Sequence, residues 1–301
     1  MLQQGYAIGQ TAFPAPRPAS GLYVVATPIG NLKDVTIRAL ETLAAADVIA
    51  CEDTRHTRRL LDHYAIRTHC LSYHEHNAAQ RRPELLDRLA GGQVVALVSD
   101  AGTPLVSDPG FKLVEAVIEA GHAVFPLPGA SATLAALVAA GLPTDSFFFA
   151  GFLPSKSGAR RNKAAEFATV PGTLVFYESP NRVAAMLADM QAVYGDRQAA
   201  VARELTKRFE TLERGTLGEL AQRFGEGAAP KGEIVVVVAP PDEEAPSADI
   251  GDDAIAERLE SLSAEHGVSR AAQILAQETG LPRKKLYTRA LELGSRARKA
   301  T

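Results

Sequence analysis

Three short segments place glycine and proline where main chain can close around a small ligand. They are Thr27-Pro28-Ile29-Gly30, Ser99-Asp100-Ala101-Gly102-Thr103-Pro104 and Pro128-Gly129-Ala130-Ser131-Ala132. Glycine lets backbone approach a ligand closely, and proline fixes the loop. Three further segments concentrate ionisable groups: Glu52-Asp53-Thr54-Arg55, Glu178-Ser179-Pro180 and Arg203-Glu204-Leu205-Thr206-Lys207. Such groups can take a proton from a poor nucleophile or orient it. Taken singly, each carboxylate serves as readily as a helix N-cap or as half of a structural ion pair. Taken as a set, they form a candidate functional cluster.

Several other chemistries are absent from the sequence. It has no G-x-x-x-x-G-K-[ST], no G-x-G-x-x-G after the first strand and no G-x-S-x-G. A P-loop, a dinucleotide fingerprint and a nucleophile elbow are therefore not in view. His74-Glu75-His76 lacks the spacing of a metalloprotease helix and reads as a polar loop. Cys51 and Cys70 are too few for a disulfide scaffold or a four-cysteine zinc site. No metal site is visible, and a reduced, cytosolic setting is the simplest reading.

The elements that position these segments follow from hydrophobic pattern. Apolar runs at 22–26, 47–51, 94–99 and 123–127 alternate with helical stretches at 36–45, 54–63, 78–90 and 110–120. That alternation predicts βαβ units on a largely parallel sheet, with a further helix over 131–140. The glycine loops then lie at the carboxyl ends of strands, the edge at which open α/β sheets bind ligands. Residues 143–151, with three consecutive phenylalanines, read as a crossover into a second α/β domain. Its strands are expected at 173–177, 199–203, 210–214 and 233–239, with some antiparallel pairing, and its helices at 158–168, 181–193 and 217–224.

The organisation expected is therefore a mobile arm over 1–20, an α/β domain over 21–143, a second over 144–240, an acidic Pro-rich linker over 241–253 and a helix-turn-helix-like domain over 254–301. A length of 301 residues suits about two main domains. A net charge of −3 argues against a protein that coats nucleic acid indiscriminately. No apolar run approaches the ~20 residues needed to span a bilayer, and the first 20 residues lack the basic start and apolar stretch of a secretory signal.

The ordered set LYVVATPIGNL, VTIRALETLAAADVIACEDTRHTRRLL, SDAGTPLVSDPG, LPGASA, GFLPSK, FYESPNR and RELTKRFE resembles the ribosomal RNA small subunit methyltransferase I family. That family is the RNA-modifying branch of the tetrapyrrole methylase (class III methyltransferase) fold. The likeness covers residues 21–240 and a plausible C-terminal domain. It implies S-adenosylmethionine-dependent 2′-O-methylation of a cytidine in small-subunit (16S) ribosomal RNA near the decoding centre, and by fold kinship a homodimer. The first loop departs from the glycine-richer turn of tetrapyrrole enzymes, which favours the RNA branch.

The resemblance places the cofactor in the cleft between the α/β domains. Pro28, Ile29, Asp100, Ala101, Thr103, Ser131 and Ala132 are expected on one side; Phe176, Tyr177, Gly232 and Glu233 are expected on the other. Methyl transfer needs the acceptor oxygen in line with the methyl group, and a ribose hydroxyl needs help to lose its proton. Glu52, Asp53, Glu178, Glu204 and Lys207 are the candidates for that role. Arg55 and Arg203 would frame the phosphates, joined by Lys156, Arg160, Arg161 and Lys163 from a basic segment over 151–165 that contains no acid. The tail over 280–301 carries seven Lys or Arg against Glu292 alone. Two other readings stay open: a tetrapyrrole methyltransferase of the same fold, and a non-catalytic RNA-binding assembly factor.

Overall fold

The structure is a computed structural model that describes residues 4–107, 110–226, 229–241, 252–279, 281 and 283–299. Residues 1–240 form one compact unit and 241–301 a second.

The first unit begins with an antiparallel hairpin, β1 (Gly5–Ile8) and β2 (Thr11–Pro14). This corrects the expectation of a mobile arm over 1–20. Tyr6 is buried in the first core, and the Ala7 N–H donates to the Tyr64 carbonyl at 2.8 Å. A four-residue alternation at the very start of a chain is a weak signal, and its anchor lies far along the sequence.

The first sheet comprises β3 (Gly21–Val25), β4 (Val48–Cys51), β5 (Cys70–Ser72), β6 (Val94–Val98) and β7 (Val124–Leu127). All its pairs are parallel, in the order β5-β4-β6-β3-β7. Its crossovers contain α1 (Ile37–Ala45), α2 (Thr54–His63), α3 (Ala78–Ala90) and α4 (Phe111–Glu119). Alternation along the strands feeds two cores. Tyr23, Val25, Ala96 and Val98 pack in the core that includes α1 and α2, whereas Leu22, Val95 and Leu97 pack in the core that includes α3 and α4. Burial on both faces explains why these strands are continuously apolar rather than alternating.

The chain then passes through α5 (Ala132–Ala140) into a second sheet. Its elements are β8 (Phe147–Phe152), α6 (Ser157–Ala165), β9 (Thr173–Glu178), α7 (Val183–Tyr194), β10 (Gln198–Arg203), β11 (Thr211–Thr216), α8 (Leu217–Gly225) and β12 (Ile234–Val238). The order is β11-β10-β12-β9-β8; β8 runs parallel to β9 and the other pairs are antiparallel. The three phenylalanines expected in a crossover belong to edge strand β8, and the basic segment over 156–163 is mostly helix α6. Helix α5 packs on one face of this sheet through Ala136, Leu137 and Ala140. Met186, Leu187 and Met190 of α7, with Leu217 and Leu220 of α8, fill the other.

The second unit consists of α9 (Asp252–His266), α10 (Val268–Thr279) and α11 (Arg283–Lys299). Leu259, Leu262, Ala271, Leu275 and Leu286 give it a core of its own. The expected linker lies almost wholly outside the described residues, as do Gly280 and Pro282 of the expected turn.

Candidate active site

Strand order brings the glycine loops together, because β3 lies between β6 and β7. The loops are laced by short hydrogen bonds. Thr27 and Gly102 exchange backbone N–H···O bonds of 2.9 Å, and the Thr27 hydroxyl donates to the Ser99 carbonyl at 3.1 Å. The Thr103 hydroxyl donates to the Ala130 carbonyl at 3.1 Å. In the second sheet, β9 and β10 end where antiparallel β12 begins, so the 178–180, 203–207 and 232–233 segments share one edge.

Between these two edges lies a cavity of about 420 Å³, within the range of small-molecule sites. Ile29, Ala101, Thr103, Ser131 and Ala132 line it from the first sheet's loops; Tyr177, Glu178, Gly232 and Glu233 line it from the second sheet. All nine were expected at the site. The Tyr177 hydroxyl is held 2.8 Å from that of Thr133, and the Phe152 ring meets Tyr177 edge-on at 5.6 Å.

One cofactor assignment requires correction, and two fall in an adjoining pocket. Phe176 is fully buried in the core against α7 and α8, because neighbours on a strand point to opposite faces and Tyr177 takes the cavity side. Pro28 and Asp100 line a neighbouring pocket instead. In these loops Ile29, Ala101 and Gly102 face the larger cavity, whereas Pro28, Gly30 and Asp100 face the neighbouring pocket.

The candidate catalytic groups separate as well. Asp53 caps α2 by accepting from the Arg55 N–H at 2.8 Å, and it pairs with the Arg55 guanidinium at 2.9 Å. That hydrogen bond, with the backbone, holds its carboxyl down to about 2. Asp53 is therefore a cap and a poor proton acceptor, and Arg55 is occupied with it. Glu52 lines neither cavity.

Glu178 is buried and does line the cavity; its Oε1 accepts from the Ser179 N–H at 2.7 Å. Its Oε2 lies 3.1 Å from Arg182 Nη2 without a well-formed hydrogen bond. Lys207 Nζ binds Glu204 at 2.9 Å and Glu233 at 3.2 Å, and its stem lies across Gly30. Burial alone would lower the Lys207 pKa, but these carboxylates raise it overall; the Lys207 hydrogen bond in turn pulls Glu204 below its ordinary value. At neutral pH this is an ammonium clamped between carboxylates.

The basic candidates are mostly engaged. Arg160 is 4% exposed and binds buried Asp189 at 2.6 Å, which removes it from any RNA surface. A carboxylate buried on α7 needs cationic partners, and Arg160 and Arg161 both supply them. Lys163 pairs with Glu166, and Arg203 donates to Thr211 and to the Lys231 carbonyl. Lys156 is exposed.

Sequence reasoning missed Val106, Ser107, Phe152, Ser179, Pro180, Ile234 and Val235 as cavity lining. Val106, Ser107, Phe152 and Ser179-Pro180 stood inside quoted motifs; Ile234 and Val235 carry no chemical signal. Among the described residues no cluster of three or more His, Cys, Asp or Glu suits a metal ion, and no helix is long and apolar enough to cross a membrane.

The parallel sheet, the mixed sheet and the cleft between them define a methylase of the tetrapyrrole type. Residues 21–221 match the tetrapyrrole (corrin/porphyrin) methylases, and residues 249–294 match the RsmI C-terminal HTH domain. Cobalt precorrin-4 methyltransferase shares the fold at a TM-score of 0.55 and 17% identity, over 72% of this chain and 94% of that one. Uroporphyrin-III C-methyltransferase from Thermus thermophilus, complexed with S-adenosyl homocysteine, does so at 0.52 and 20%, over 72% and 96%.

The chain is 54% identical to ribosomal RNA small subunit methyltransferase I of Mesorhizobium japonicum, over 95% of this chain and 96% of that protein. It is 49% identical to the protein of that name from Synechocystis sp., over 90% and 98%. The chain therefore belongs to the ribosomal RNA small subunit methyltransferase I family, and it is an S-adenosylmethionine-dependent methyltransferase. That sets aside the non-catalytic reading.

Proposed function

We propose that this methyltransferase modifies small-subunit (16S) ribosomal RNA at the 2′-oxygen of a cytidine near the decoding centre. The observation that carries the reading is the charge of the cavity, where Glu178 and Glu233 are the charged residues in the described lining. Each is paired with a cation, Arg182 or Lys207, yet still presents oxygens to the cleft, which suits a ligand with an amino group, and S-adenosylmethionine brings one together with an electrophilic methyl group on a sulfonium. The buried, under-bonded Oε2 of Glu178 offers a further acceptor to that ligand. Ile29, Ala101, Thr103, Ser131, Ala132, Tyr177 and Gly232 would hold it by contact and through backbone groups.

In this reading Lys207, at the edge of the cavity through Glu233, donates to the acceptor oxygen and stabilises its developing negative charge, while the exposed Glu233 carboxylate takes the hydroxyl proton and passes it to solvent. Glu204 and Glu233 hold the ammonium in place. The exposed side chains of Leu134 and Val138, one turn apart on α5, support a homodimer as the second part of the proposal. A ribosomal substrate also supports a cytoplasmic setting.

The test is transfer of a labelled methyl group to small ribosomal subunits lacking the modification, with free ribosomal RNA and a uroporphyrinogen-type substrate alongside. Label at one alkali-resistant linkage, lost in Lys207→Met while cofactor binding persists, supports the reading. Label on the tetrapyrrole alone overturns it.

A further inference from the structure

A second pocket adjoins the cavity, and nothing so far gives it a task. It has a volume of about 260 Å³. Pro28, Leu32 and Leu60 supply apolar surface; Arg59, His56 and Asp100 supply charge and hydrogen-bonding capacity. The loops over 27–30 and 99–102 form its wall with the larger cavity, since Pro28, Gly30 and Asp100 line one side while Ile29, Ala101 and Gly102 line the other. Lys207 belongs to both edges, through Gly30 on one side and Glu233 on the other.

Thr27 and Ser99 bond within the wall, but other polar groups of this pocket keep capacity for a ligand. Arg59 and His56 make no ion pair or side-chain hydrogen bond among the described residues. Thr57 is 4% exposed, lines the pocket, and its hydroxyl has no hydrogen-bond partner. Asp100 uses Oδ1 to accept from the Asp53 N–H at 3.2 Å, which leaves its other oxygen free. A carboxylate accepts from an exocyclic amine of a base, and cytosine N4 is the usual partner. Apolar surfaces flanking such a group suit the faces of an unstacked base, and an unpaired arginine suits its phosphate.

We propose that this pocket receives the acceptor nucleotide flipped out of the RNA, with Asp100 reading the amino edge of cytosine and Arg59 and His56 holding the phosphate. The inference rests on the reading of the chain as an RNA methyltransferase and adds the group that selects the base. Enzymes that act on a nucleotide within folded RNA commonly extrude it, and the flipped base is then read on its Watson–Crick edge.

The experiment compares wild type, Asp100→Asn and Arg59→Gln on small subunits carrying cytidine or uridine at the methylated position. Cofactor binding is measured by calorimetry. Asp100→Asn keeps an oxygen for the Asp53 N–H and turns an amide donor towards the base, which suits the uracil O4. The expected results are at least about a tenfold loss of kcat/KM on the cytidine subunits, a shift of preference towards uridine, and cofactor affinity within twofold of wild type. Arg59→Gln, an exposed change, should raise KM for both subunits alike. Retention by Asp100→Asn of the wild-type cytidine preference overturns the proposal. So does a parallel loss of cofactor binding, which would return Asp100 to the cofactor site. A wild-type protein that labels neither subunit overturns the RNA reading itself, a result distinct from the other two.

Discussion

Gly232 is the position at which cleft geometry and backbone conformation are tied most tightly. Its φ is +100°, and a Cβ there would overlap the Glu204 carboxyl. Gly232→Ala therefore acts twice. A side chain in left-handed backbone costs about 1–2 kcal/mol. Displacing Glu204 also breaks its 2.9 Å bond from Lys207 and its 3.1 Å bond from the Glu233 N–H. Hydrogen bonds to charged groups contribute about 1.5–3 kcal/mol each, so the total is about 4 kcal/mol at the low end. In Glu204→Ala the obstacle is gone, and adding Gly232→Ala should cost only the backbone component of about 1–2 kcal/mol. The four proteins form a double-mutant cycle with a coupling of about 2 kcal/mol or more. Urea denaturation reads it as displaced midpoints at constant slope. Additive effects, or a Gly232→Ala protein within 1 kcal/mol of wild type, would show that Glu204 is not locked against this backbone.

Three further outcomes can be checked. Arg160→Ala should destabilise by about 3–5 kcal/mol, since it leaves buried Asp189 short of a partner, while thermal melting of Arg161→Ala falls much less because that side chain is half-exposed. Burial alone would raise the Asp189 pKa, but hydrogen bonds from Arg161, Ser157 and Arg160 lower it overall; its contribution is thus full above the unfolded value of about 3.9 and fades as pH falls through the lower folded value, a loss absent from Asp189→Asn. Cys70 Sγ accepts from Arg58 at 3.6 Å, and its pKa is lowered by the Cys51 hydrogen bond and by Arg58, whereas the Cys51 thiol is pushed up. Iodoacetamide at neutral pH should therefore alkylate Cys70 ahead of Cys51, with Arg58→Ala slowing the reaction; equal labelling would refute the asymmetry.

Much of the fold was readable because most strands of the first sheet are apolar and several helices carry their own caps. Helices α2 and α3 occupy the expected spans, and Asp53, Ser131 and Thr216 stand at N-caps. What escaped depends on partners distant in sequence. The three residues of β5 and the four of β1 are too short to show a period. The parity that turns Tyr177 inward and Phe176 outward is set by which helices cover the sheet. Arg160 looked like an RNA ligand because its partner Asp189 lies 29 residues away on another helix. Of the site, the loops were legible and the side of each loop residue was not.

The wall between the two pockets is a single layer of main chain, pinned by the paired bonds of Thr27 and Gly102. A partition that thin cannot yield to one occupant without presenting an altered surface to the other. On the proposed reading, the methyl donor and the base of the acceptor nucleotide therefore sense each other through the wall as well as meeting at the reacting oxygen, and linkage makes the effect mutual: whatever factor the donor applies to RNA affinity, RNA applies to the donor's. The enzyme would then hold its donor differently before and after the RNA arrives, and turnover would begin with an ordering of the wall that whichever ligand comes first must bring about.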